Sequence, residues 1–407
     1  MSSAATPSAT RSRTAGSSSA TAGGRDMSPA GRSFQVFAKP AGADCNLACA
    51  YCYYLEKGLP AGTREAKRMA DDMLAEYIAR HISASSDEII RFSWHGGEPT
   101  LAGLEFYRRA VEVQTRLRPA GRSIANGMQT NGTLIDDGWG AFLAEAGFSV
   151  GLSLDGPEEI HDVHRRAPDG RPTFRRALRG YEILRRHGVP TDILCAVGVH
   201  NAGLPAGVYG FFKSIEASFI SFLPLVEPLE GVAAGVGRRT VPAEAWGEFL
   251  CAVFDEWLEK DIGRIKVQIF EEAARTAFGQ EHSLCLFRPE CGDVPVVERN
   301  GDVYSCDHFV DAEHRLGNIR ETPLEDMLES PAQRQFGMAK LERLPGVCLS
   351  CEVRDMCHGE CPKNRFIPDP DGGPERNHLC PGYKRFFTHC RPFVEAVAAA
   401  WRRTVIL

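Results

Sequence analysis

No apolar run in the chain reaches 18 residues, which excludes a membrane-spanning helix of ordinary length. There is no long basic run and the formal net charge is −6, so the positive surface that a nucleic-acid partner needs is missing. Residues 1–32 are mostly Ser, Ala, Thr and Gly with scattered Arg. They lack the apolar centre of a secretory signal and hold too little apolar surface to fold. A disordered N-terminal tail is expected there, with Met27 as an alternative start. Cysteine, by contrast, is abundant, with 14 among 407 residues. A secreted disulfide scaffold would be short and loop-rich, whereas this chain carries long helix and strand periodicities. The expected location is the reducing cytoplasm, where grouped cysteines serve as metal ligands.

A length of 407 residues with 43% hydrophobic content predicts a large domain plus an appendage. From Phe34 onward, predicted strands and helices alternate. Strands are expected at Phe34–Ala38, Ile89–Trp94, Ile124–Gln129, Phe148–Leu154, Thr191–Val199 and Phe219–Leu223. Helices are expected at Asp71–Ile82, Leu104–Leu117, Ile135–Ala146, Phe174–His187, Pro205–Ile215 and Ala243–Lys260. Thr173 reads as an N-cap and Gly188 as a helix terminator. Repeated βα pairs of this kind predict an α/β fold, a parallel sheet curved into a partial (β/α)6 TIM-like barrel over residues 33–262. A cysteine-rich region follows over 263–390, then a helical tail over 391–407. In such sheets the chemistry sits at the carboxyl ends of the strands.

At the end of the first strand lies Cys45-Asn-Leu-Ala-Cys49-Ala-Tyr-Cys52, a C-x3-C-x2-C motif flanked by Tyr51, Tyr53 and Tyr54. Soft thiolates suit iron–sulfur clusters. Three of them on a four-iron cluster leave one iron open, and open coordination sites are where metals do chemistry. A zinc clip with a distant fourth ligand is the alternative. Beyond residue 280 the periodicity fades, and Cys285, Cys291, Cys306, Cys348, Cys351, Cys357, Cys361 and Cys380 follow. Eight thiolates would complete two four-iron clusters, or one or two zinc ribbons. Cys195, Cys251 and Cys390 stand apart.

Several segments carry a more specific likeness: Lys39-Pro-Ala-Gly-Ala-Asp-Cys-Asn-Leu, Tyr51-Cys-Tyr-Tyr-Leu-Glu-Lys57, Gly96-Gly-Glu-Pro-Thr100, Gln129-Thr-Asn-Gly-Thr133, Ser153-Leu-Asp-Gly156, Tyr304-Ser-Cys-Asp-His-Phe-Val310, Leu316-Gly-Asn-Ile319 and Cys361-Pro-Lys-Asn-Arg-Phe366. The chain resembles the radical S-adenosylmethionine (SAM) superfamily with a SPASM extension, and within it the anaerobic sulfatase-maturating enzymes. The likeness runs over about residues 34–390. It implies three [4Fe-4S] clusters and SAM as cofactors. It implies an oxidation of a Cys or Ser of a sulfatase polypeptide to Cα-formylglycine, through a 5′-deoxyadenosyl radical that takes hydrogen from Cβ. The reducing partner would be a ferredoxin or flavodoxin.

The same resemblance assigns residues. Cys45, Cys49 and Cys52 would hold the SAM-binding cluster. Cys285, Cys291, Cys306 and Cys361 would hold one auxiliary cluster, and Cys348, Cys351, Cys357 and Cys380 the other. Tyr51, Gly97, Ser153, Arg165 and Val226 would contact SAM, with Arg166 as the alternative to Arg165. Asp307 would be the general base for the proton that the oxidation releases. Tyr54 and His95 would touch the peptide, or serve as buried structural residues. The competing function with shared chemistry is thioether or carbon–carbon crosslinking of another peptide. The competing class is a zinc-stabilised or electron-carrying protein without SAM chemistry.

Overall fold

The computed structural model describes residues 31, 33–54, 67–229, 231–370 and 372–405. The expected tail thus lies outside the described residues, apart from Gly31, as do residues 55–57 of the tyrosine segment. Seven parallel strands run β1 (Val36–Lys39), β2 (Ile89–Trp94), β3 (Ser123–Thr130), β4 (Phe148–Ser153), β5 (Thr191–Val197), β6 (Phe219–Pro224) and β7 (Lys266–Val267), each paired with the next. Between them lie α1 (Asp71–Ala84), α2 (Leu104–Leu117), α3 (Asp137–Glu145), α4 (Glu158–His164), α5 (Phe174–Arg186), α6 (Pro205–Ser214) and α7 (Ala243–Lys260). Parallel strands need such crossovers, and the resulting open barrel buries the strands on both faces.

The helices form because their apolar residues recur every three or four positions. In α1, Met73, Leu74, Tyr77, Ile78 and Ile82 make the buried stripe. The stripe meets Phe92 and Trp94 of β2, with the Tyr77 ring edge-on to both. Each such side chain contributes about 1.5–3 kcal/mol of burial. Of two local readings, one differs from expectation. Thr173 does occupy the N-cap of α5, but its hydroxyl donates to the Arg165 carbonyl instead of capping. Asp162 accepts from the Thr173 and Phe174 amides and caps in its place. Gly188 does end α5 with φ 72°.

The sheet does not stop at the barrel. β8 (Val296–Glu298) adds to the outer edge of β1 in parallel, and β9 (Asp302–Tyr304) and β10 (Arg315–Asn318) follow antiparallel. The cysteine-rich part therefore shares one ten-stranded sheet with the barrel. Lys39 stands beside Glu298 in this register. The last helix begins at Cys380, not 391, and runs to Val405 along α7. Among the described residues no helix is long and apolar enough to cross a membrane.

Candidate active site and cysteine centres

The loop after β1 carries Cys45, Cys49 and Cys52, all half-buried. Neighbouring strand ends hold it in place. The Gly97 and Glu98 amides donate to the carbonyls of Gly42 and Asp44 at 2.8 and 2.9 Å. A Cβ at Gly97 would lie 2.2 Å from the Asp44 carbonyl oxygen, so only glycine permits this approach. The Ala48 and Ala50 amides reach the Arg166 and His164 carbonyls at the C-terminal end of α4. From the end of β3, Asn131 Nδ2 points to Cys45 Sγ at 3.8 Å and donates to Asn46 at 2.9 Å. Burial, with Glu98, Cys49 and Cys52 close by, takes the Cys45 thiol to about 12, and burial, with Cys52 and Asp155, takes Cys49 to about 11. A bound cation would reverse that direction, since thiolates are the ligating form.

Two buried carboxylates, neither anticipated from the sequence, organise this end of the barrel. Glu98 is fully buried and accepts from Thr100, Thr130 and the Asn131 amide, which ties the β2 and β3 ends together. Burial pushes its carboxyl up against those donors. Asp155, past β4, is also fully buried. It accepts from the Tyr51 hydroxyl, from Arg165 Nε at 2.9 Å and from the Ala196 amide at 2.9 Å. Burial alone would raise its carboxyl, but Arg165 and His161 hold it below the usual range. The Arg165 guanidinium sits 5.4 Å from the Tyr51 ring centre. Arg166 points outward to the Gly170 carbonyl. Both acids stood inside the Gly-Gly-Glu-Pro and Ser-Leu-Asp-Gly segments, and their place at strand ends was the available signal. Ser153 ends β4, nearly buried, and Val226 follows β6, packed on the core. Tyr51, Gly97 and Arg165 thus gather at the cysteine loop, while Ser153 ends β4 and Val226 follows β6, two strands further on.

A second polar cluster lies on the β1–β8 side. Asp307, nearly buried, forms an ion pair with Lys39 and accepts from the Tyr53 hydroxyl at 2.5 Å. Burial would raise this carboxyl, but Lys39, with His95 and His308, holds it far below the usual range. Tyr54 is buried and donates to Glu298, with Lys39 Nζ 4.4 Å from its ring centre. His95 stacks on Phe37 at 4.4 Å, and burial lowers its pKa to about 3, so it is neutral at pH 7. Asp307 therefore bridges the cysteine loop, through Tyr53, to its own neighbour Cys306.

The eight later cysteines fall into two groups. Cys348, Cys351, Cys357 and Cys380 line one cavity together with Glu360 and Tyr383. Cys285 and Cys291 lie close enough to Cys306 to raise its thiol, after burial, to about 12, and Cys361 is coupled to Cys306 in turn. Each group is a set of four soft donors, the chemistry that iron–sulfur clusters use.

Comparison with known proteins agrees with this geometry. Residues 40–203 match the model of the radical SAM superfamily, and 285–352 match that of an iron–sulfur cluster-binding domain. The serine-type anaerobic sulfatase-maturating enzyme of Bacteroides thetaiotaomicron is 40% identical over 380 residues, covering 90% of this chain and 92% of that one. The cysteine-type enzyme of Clostridium perfringens is 33% identical over 363 residues, covering 88% and 97%. The solved structure "native anSMEcpe with bound AdoMet and Cp18Cys peptide" superposes with a TM-score of 0.81 at 32% identity, covering 90% of this chain and 99% of that one. A structure of SuiB from Streptococcus suis shares the fold at a TM-score of 0.58 and 15% identity. The chain belongs to the anaerobic sulfatase-maturating enzymes, a radical SAM family of oxidising enzymes with a SPASM iron–sulfur domain.

Proposed function

We propose that the enzyme oxidises a Cys or Ser side chain of a sulfatase polypeptide to Cα-formylglycine. The observation that carries this is Asp307, a buried carboxylate held by Lys39 and Tyr53 between the three-cysteine loop and Cys306. The names of the relatives and the peptide in the similar solved structure support the substrate class. When bound, a four-iron cluster with SAM supplies a 5′-deoxyadenosyl radical able to take hydrogen from Cβ, and two auxiliary four-iron clusters supply a path for the second electron.

In this reading Cys45, Cys49 and Cys52 hold the first cluster. Cys285, Cys291, Cys306 and Cys361 hold the second, and Cys348, Cys351, Cys357 and Cys380 the third. Arg165, fixed by Asp155, meets the SAM carboxylate, since a guanidinium fork suits that group. Tyr51 packs beneath Arg165, and Ser153 and Val226 line the remaining SAM surface. The Gly97 amide is used on Gly42, so this residue acts by shaping the turn. Asp307 accepts the proton released as the substrate thiol or hydroxyl is oxidised. Tyr54 and His95 form the wall facing the peptide. A ferredoxin or flavodoxin supplies the first electron in the cytoplasm, and no nucleic acid takes part.

The test uses anaerobically reconstituted protein with SAM, a reductant and a roughly 20-residue sulfatase-type peptide. About twelve irons per chain are expected. A Ser peptide should lose two hydrogens, and a Cys peptide should lose two hydrogens and exchange sulfur for oxygen. D307N should still cleave SAM while peptide oxidation falls about a hundredfold or more. Formation of 5′-deoxyadenosine with both peptides unchanged, or crosslinked, would overturn the assignment.

A further inference from the structure

Two cations lie between the four-cysteine groups, and neither has a carboxylate ion-pair partner among the described residues. Lys340 is 1% exposed, and its ammonium donates to the carbonyls of Cys285 and Leu286 at 2.7 and 2.8 Å. Arg365 is half-buried, and its guanidinium donates to the carbonyls of Lys340, His358, Gly359 and Glu360. Those last three residues form the link between Cys357 of one group and Cys361 of the other. All three are left-handed, with φ of 47°, 73° and 52°. Two are not glycine, so the segment is strained. The strain turns successive carbonyls onto one guanidinium. At Gly359 a Cβ would lie 2.7 Å from that guanidinium and push against it.

Backbone carbonyls solvate a buried cation but do not neutralise it, and burying an uncompensated charge is unfavourable. Glu360 acts on both cations, one carboxylate for two positive charges, and it accepts from the Asn364 and Asn377 side-chain amides. The remaining anions in reach are thiolates. Lys340 is held on the backbone of Cys285 itself, and Arg365 on the three carbonyls that join Cys357 to Cys361. Lys340 thus lies at the Cys285 group, and Arg365 lies between Cys361 of that group and Cys357 of the other.

We propose that Lys340 and Arg365 are fixed counter-charges for the two auxiliary cluster sites, Lys340 serving the Cys285 group and Arg365 both groups, and that they favour the reduced clusters. This rests on reading the two cysteine groups as cluster sites. Reduction adds one negative charge to a cluster, so a fixed neighbouring cation raises its reduction potential. The pair thereby prepares both sites to take the second electron of the oxidation.

The experiment is a redox titration followed by electron paramagnetic resonance on full-length reconstituted protein, with iron counted in each sample. K340M should shift the reduction equilibrium of one auxiliary cluster about tenfold toward the oxidised form, about 59 mV for a one-electron couple. R365Q should shift both auxiliary clusters in that direction. K340R and R365K keep the charge and should titrate near the wild type. Unchanged potentials in K340M and R365Q, or equal shifts in K340R and R365K, would overturn the proposal. If the neutral variants lose iron while the charge-keeping variants retain it, compensation by charge is supported. Iron loss in both kinds would mean packing and overturn it. A wild type without auxiliary clusters would instead overturn the cluster reading itself.

Discussion

At the residue scale, the site depends on charges buried in pairs. Lys39 is 1% exposed and faces both Asp307 and the Tyr54 ring. K39M would leave a buried carboxylate without its cation, a change that typically costs about 3–5 kcal/mol. Peptide oxidation should fall about a hundredfold while SAM cleavage persists, so the ratio of 5′-deoxyadenosine to oxidised peptide should rise. An unchanged ratio would remove Lys39 from the site's function. D155N should weaken SAM binding about tenfold, because Arg165 loses the ion pair that fixes it. Equilibrium binding of SAM to the reconstituted protein measures this. Asp307 was singled out within the Tyr304–Val310 segment, and Arg165 only through the family resemblance. Glu98, Asp155 and Lys39 were not, because a charged residue is buried only where distant partners meet it, and those partners come from other strands.

At the element scale, glycines set how closely backbones approach. G97A would place a methyl carbon against the Asp44 carbonyl and push the three-cysteine loop away. Iron at that loop and SAM cleavage should both be lost, while the auxiliary clusters remain. The C-terminal helix lies on α7 through Gly382, where a Cβ would sit 2.1 Å from the Ala243 carbonyl. G382A should destabilise the protein by about 1–3 kcal/mol in chemical denaturation. Cys380-Pro381-Gly382 carries two residues that usually break helices, yet the last helix begins there. Proline is tolerated in a helix's first turn, and the glycine serves the contact with α7.

Helix α1 also carries a pH dependence. Burial lowers His81 to about 3, and Tyr77 Oη lies 3.2 Å from its Nδ1. The unfolded chain binds a proton there below about 6.5. The folded state does not, so stability falls as pH drops from about 6.5 toward 3, by up to about 1.4 kcal/mol per pH unit from this group. Denaturation midpoints at pH 7 and pH 5 should differ less in H81Q than in the wild type. The alternation of strands and helices was readable, because hydrophobic periodicity fixes it. The added strands β7 to β10 are two to four residues long, too short for any period to show.

For the whole molecule, the shared sheet is the main structural fact. β8 on β1 places Lys39 beside Glu298 and brings Cys306-Asp307 next to the three-cysteine loop. The sequence showed two regions with different chemistry, and it gave no register between them. That register makes a single site of the two regions, and the proposed function puts its radical source on one side and its base and electron path on the other. The most direct measurement uses a peptide deuterated at Cβ of its target Cys or Ser, incubated anaerobically with enzyme, SAM and reductant. The expected result is deuterium in the 5′-deoxyadenosine, formed together with formylglycine. Formylglycine with 5′-deoxyadenosine that carries no deuterium would contradict hydrogen abstraction from Cβ at this site.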